Sequence, residues 1–203
     1  MYILNGQIID VNQPQIIGED QYPAGWFTDV QNVEALQLQP LVSDPPPYDT
    51  LSQVLARLIP IQVDGVWTQQ WSVTSLPLEE AQSNLAAAKV VKNNEINKWR
   101  LQANQSTFPY QGKSIGCDPL SRSDIDGVAG SISLFGSFPN NFPMAWKCAD
   151  NTFISLPDVA AFKSMYSAMT DQGTITFNKS QQLKTALATA TTKAEIDAIV
   201  WDL

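Results

Sequence analysis

The sequence predicts an α+β protein, with a β-hairpin-rich N-terminal part followed by a helix-rich C-terminal domain containing small β-hairpins. Three observations predict it. Asn5-Gly6 and Asp64-Gly65 each separate two short apolar runs, and such pairs suit the positive φ angles of a two-residue turn. Three consecutive prolines at 45–47 forbid helix and favour an extended polyproline segment. From Leu78 onward, long runs of helix formers dominate. The division therefore falls after residue 76. Residues 1–76 form a β-rich domain with an internal proline-rich linker at 43–49, and residues 77–203 form an α-rich domain.

In chain order, "YIL" and "QIID" around Asn5-Gly6 read as a hairpin, and Pro14, Gly18, Pro23 and Gly25 turn the chain repeatedly over 12–25. Val33 to Leu41 alternates weakly and is expected to be a strand. Residues 51–60 fit two readings. Leu51, Val54, Leu55 and Leu58 share a helical face, yet Pro60 ends the run early and a strand serves nearly as well. "IPIQV" and "VWTQQWSVTSL" form the next hairpin, with Trp67, Gln69, Trp71 and Val73 expected on one strand face.

A helix is predicted over 78–105, with Glu79 and Glu80 at the positive end of its dipole. "TFPYQGKSIGCD" reads as a hairpin turning at Gly112, and "PLSRSDIDGVAGSISLFG" as a helix stopped by Gly136. "FPMAWKCADNTFISL" gives another hairpin, turning at Asp150-Asn151. Three further helices are expected over 157–172, 179–190 and 192–203, the last opened by a capping box from Thr192 to Glu195.

Composition narrows the function. A net charge of −8 argues against binding nucleic acid or anionic lipid, both of which call for surplus Lys and Arg. No run of about 18 apolar residues is present, so membrane insertion is not expected. The N-terminus lacks the basic and apolar regions of a signal peptide, which predicts synthesis in the cytoplasm. There is no histidine, which removes the commonest general base and metal ligand. Cys117 and Cys148 read as small buried hydrophobes, with a single bridge as the alternative.

The run "GKSIGCDPLSRSDIDG" at 112–127 is the richest in chemical groups. Setting Gly127 at the sixth position of a calcium loop puts Arg122 first and Ser133 twelfth, where carboxylate-type ligands are needed, so the pattern fails. The same residues make a helix start: Asp118 caps, Pro119 takes the first helical position, and Arg122 pairs with Asp126 one turn on. Glu79 and Glu80 are adjacent and point to different sides of a helix, so they are no glycosidase pair. Serines without histidine leave only a Ser-Lys arrangement, and no phosphate-cradling glycine loop occurs. The chain reads as a non-enzyme with no cofactor, metal or catalytic residues. Of six tryptophans, Trp67, Trp71, Trp99, Trp146 and Trp201 lie in apolar patterns and are expected in the core, whereas Trp26 belongs to an exposed loop.

Several spaced elements together resemble a known family. They are Trp99-Arg100, the "F-x-Y-x-G-K" hairpin, "C-D-x-x-S-R-x-D-I-x-G" at 117–127, "W-K-x-x-D-N" at 146–151, and the tail "LK-x-x-L-x-x-A-T-T-x-A-E-I-D-A-I". Residues from roughly 95 to 203 thus resemble the domain of unknown function numbered 4376, found in tail and tail-fibre-associated proteins of bacteriophages. Residues 48–81 resemble the segment that often precedes it, where "DGVWTQQW" is strand, which tilts 51–59 toward β. The resemblance implies a protein of the virion tail that binds the distal end of a trimeric tail-fibre protein, as assembly chaperone or fibre tip. It carries no catalytic residues. Tyr22, Trp26, Phe27 and Tyr48 are the expected partner-binding residues. A module recognising a host surface glycan, with Trp26, Tyr22 and Tyr48 stacking on sugar rings, is the alternative, and a structural tail or baseplate subunit is a third reading.

Overall fold

The structure, a computed structural model, describes residues 1–202. Its fold is α+β and divides into two compact units, Met1–Asn84 and Leu85–Leu203.

In the first unit, strands β1 (Tyr2–Leu4) and β2 (Gln7–Ile9) pair across Asn5 and Gly6, whose φ angles of 49° and 83° are those of the expected turn. The turn-rich stretch that follows is a second hairpin, β3 (Gln15–Ile17) with β4 (Asp20–Tyr22), reversed at Gly18. The strand expected over 33–41 is mostly helix: α1 spans Val30–Ala35, and only β5 (Gln39–Val42) is extended. Asp29 decides this, because its carboxylate accepts from the Gln31 amide and opens the helix. Val33 and Leu36, three apart on that turn, then pack on a core of Ile9, Phe27 and Leu38.

No regular structure occupies 43–49. Residues 51–60 resolve to strand β6 (Gln53–Arg57). Strands β7 (Ile61–Val63) and β8 (Val66–Thr68) turn at Asp64-Gly65 as expected, but "VWTQQWSVTSL" is two strands. β8 joins a five-stranded sheet of order β2-β1-β5-β8-β7, parallel to β5, whereas β9 (Trp71–Ser75) pairs with β6. Gln69 causes the break. It is 3% exposed, its amide donates to the Leu58 and Gln70 carbonyls, and its backbone N–H donates to Val42. Trp67 and Trp71 consequently sit in different sheets, each half-buried.

Helix α2 (Leu78–Asn104) runs across the division between the units. Hairpin β10 (Thr107–Tyr110) with β11 (Lys113–Gly116) follows, then helix α3 (Pro119–Phe135). Asp118 caps α3 by accepting from the Leu120 and Ser121 amides, and Gly136, at φ 73°, ends it. Hairpin β12 (Ala145–Lys147) with β13 (Phe153–Ser155) turns at Asn151, φ 63°. Trp99, Trp146 and Trp201 are half-buried here: Trp146 packs against the core, whereas Trp99 and Trp201 meet each other with ring centroids 6.5 Å apart. The core itself holds Phe108, Ile115, Ile125, Leu156, Phe162 and Met165. Cys117 and Cys148 are buried in it as free thiols.

The helices expected over 157–172 and 179–190 are one helix, α4 (Val159–Thr189). The short α5 (Lys193–Asp197) opens with the expected capping box.

Candidate functional site

The four residues expected to meet a partner are not one surface. Gly25, at φ 83°, turns the chain into a 3₁₀ turn over Trp26–Thr28, held by the Thr28 hydroxyl donating to the Gly25 carbonyl at 2.6 Å. Neighbouring residues of a 3₁₀ turn point about 120° apart. Trp26 is accordingly 43% exposed while Phe27, at 1%, faces inward between Ile9 and Leu38. Phe27 is therefore a core residue and offers a partner nothing. Tyr22 is half-buried, with ring centroids 5.9 Å from Trp26 and 5.3 Å from Phe27, so it props the loop from beneath. Tyr48 is exposed in the proline-rich stretch and stacks with none of them.

A stronger feature of the first unit escaped the sequence reading. β7 closes one side of the five-stranded sheet, pairing only with β8, so its outer edge keeps unpaired N–H and C=O groups. Ile59, Ile61 and Val63 alternate along it and are 84%, 49% and 45% exposed. The alternation is visible in the sequence at 59–63, but its exposure is not. Beside it, Gly6, Ile8, Arg57, Leu58, Ile59 and Pro60 border an open groove of about 610 Å³.

In the second unit, the spaced sequence elements join two hairpins and a helix. Ile115 bridges to Cys148, and the Ala149 amide donates to the Ser114 carbonyl. Lys113 Nζ meets Asp150 Oδ2 at 2.8 Å, tying the two hairpin turns together. Lys113 and the Thr152 hydroxyl and amide hold the Asp150 carboxyl well below the usual range, and the same bond to Asp150 raises the Lys113 ammonium above its ordinary value. Hydrogen bonds from the Ser121 hydroxyl and amide hold the Asp118 carboxyl low. Arg122 lies 3.9 Å from Asp126, which also accepts from the Tyr166 hydroxyl at 3.1 Å. Upstream, Lys92 covers the face of Trp99, and Arg100 that of Phe177. Most of the spaced residues are thus scaffolding. Among the described residues no helix is long and apolar enough to cross a membrane, and no cluster of three or more metal-ligating side chains occurs.

The chain thus has a β-rich first unit and a helix-rich second unit with two paired hairpins, helix α2 spanning the division in the sequence. Residues 65–200 match a domain of unknown function (DUF4376), and the chain belongs to that family. The match begins well upstream of the expected residue 95 and takes in β8 and β9. No curated protein and no solved structure matches the chain.

Proposed function

We propose that this chain is a bacteriophage tail-fibre-associated protein of the virion tail, binding the distal end of the fibre as assembly chaperone or as fibre tip. The observation that carries the reading is the unpaired β7 edge with its apolar row Ile59, Ile61 and Val63. A fibre end presents its own strand edges and apolar surface until they are covered, and strand addition satisfies both sides at once. The side chains of β7 carry no charge, so nothing along it repels an incoming strand.

Co-expression with the tail-fibre protein of the same phage tests this. The fibre is expected to be soluble and trimeric only when this chain is present, with a complex of the two on size-exclusion chromatography. A soluble trimer made without it, and no complex when both are mixed, refutes the proposal.

A further inference from the structure

The first unit carries the chain's acidity: Met1–Asn84 holds ten acidic side chains and a single basic one, Arg57, so the net charge of −8 resides there. Within it, Pro45-Pro46-Pro47-Tyr48 lies on the surface, every residue exposed and Tyr48 40% so. Both ends of the stretch are tied. The Val42 carbonyl accepts from the Gln69 amide at 2.8 Å, and the Asp49 amide donates to Gln53 Oε1 at 2.9 Å. Between them, residues 43–48 make no hydrogen bond with the described residues, the Tyr48 hydroxyl included. Proline rings fix φ at 45–47, and a following proline holds Asp44, Pro45 and Pro46 extended, which favours a polyproline II turn. Such a turn repeats every three residues. Pro45 and Tyr48 therefore share one edge, Pro46 lies on the second, and Asp44 and Pro47 lie on the third.

We propose that this segment is the ligand of an aromatic-lined groove with a basic rim on a partner protein, with Pro45, Pro46 and Tyr48 seated among the rings. Three consecutive residues without an N–H cannot extend a sheet, which excludes strand addition here. What the segment offers instead is proline rings, free carbonyls and a phenol whose hydroxyl is unused, and grooves lined by tryptophan and tyrosine take that set. Its tied ends and pre-set backbone lower the entropy lost on docking. The acidity of the unit, with Asp44 exposed beside the prolines, selects a basic neighbour and opposes nucleic acid. The inference does not rest on the fibre reading, since its test needs neither β7 nor a fibre.

The test uses a ¹⁵N-labelled WW domain with a basic groove rim, a module that seats proline segments among aromatic rings. It is titrated with the unlabelled full chain and, separately, with a synthetic peptide of residues 42–50. Saturable amide shifts confined to the groove of the WW domain are expected with both. In the full chain, Pro46→Ala and Tyr48→Ala should each weaken binding at least about tenfold, a readable change in Kd, whereas Pro47→Ala, on the outward edge, should keep it within about threefold. Circular dichroism of these variants should match the wild type, because all three positions are exposed, so a loss of binding is a loss of contact. Binding should also weaken as salt rises past about 0.1 M, where charges more than ~10 Å apart are screened. Binding by the peptide without binding by the full chain would mean that the fold shields the segment, and overturns the proposal. Absence of binding by both overturns it too, as does full-chain binding undiminished in Pro46→Ala and Tyr48→Ala.

Discussion

Phe27→Ala separates the two roles that the pair Trp26-Phe27 can play. Phe27 is 1% exposed against Ile9 and Leu38, and a phenyl ring buries on the order of 200 Å². At about 25 cal/mol per Å² the ring contributes at most ~5 kcal/mol, and measured ring-to-methyl changes cost about 3–5 kcal/mol. The unit Met1–Asn84, at the usual stability per residue, has only ~4–12 kcal/mol to lose. Phe27→Ala is therefore expected to open the first unit or bring it to the edge of opening. Trp26→Ala, at a position already 43% exposed, should cost under about 1 kcal/mol. Hydrogen exchange of the full chain at the amides of Ile3 and Ile9 reads both variants against the wild type. A loss below about 1 kcal/mol for Phe27→Ala, or equal losses for the two variants, would refute the inward placement of the ring.

The Lys113–Asp150 pair makes stability depend on pH with a definite sign: a carboxyl whose folded value is depressed contributes above its unfolded value, near 3.8, and loses that contribution on acidification through its folded value. Lys113, raised above 10.5 by the same bond, stays charged at every lower pH, so the pair is lost only with the Asp150 charge. Denaturation midpoints measured between neutral and about pH 2 should fall more steeply for the wild type than for Lys113→Met. The two thiols should resist an aromatic disulfide reagent in the native chain and react, both of them, in denaturant; burial also pushes the Cys117 thiol up, which lowers its thiolate fraction. A rapidly reacting native thiol would contradict the core described. Ile61→Lys and Val63→Lys should abolish the fibre complex while leaving circular dichroism unchanged, since both positions are solvent-facing.

The hairpins at 5–6, 64–65 and 111–112 were legible because a two-residue turn is chemistry local to the chain, and the longer turn through Asp150-Asn151 and the caps at Asp118 and Thr192 are local too. The exposed β7 edge was legible only in part. A row such as Ile59, Ile61 and Val63 looks the same in sequence whether it faces a core or water, and only the order of strands in the sheet decides between them. The misread elements share a cause: each depends on a partner far along the chain. Gln69 breaks a strand because the Leu58 carbonyl and Val42 are there to receive it.

The continuity of α4 through Gly173-Thr174-Ile175-Thr176 is the sharpest instance, because glycine and β-branched residues are poor helix formers and that stretch read as a break. Thr174 returns its hydroxyl to the Thr170 carbonyl, and Ser180 to Phe177. Thr176, fully buried, donates or shares its hydroxyl between the Gly173 carbonyl and Asn104 Oδ1, the latter at 2.6 Å from the last turn of α2. Packing against the end of α2 therefore offsets a local preference to unwind. Asn104→Ala removes that acceptor and leaves the intrahelical one, so a loss of about 1 kcal/mol is expected. It should appear as faster amide exchange confined to residues 173–178, with the ends of α4 unaffected. Uniform protection along α4 in Asn104→Ala would mean that the helix holds together on its own propensity, and that the tertiary account of its continuity is wrong.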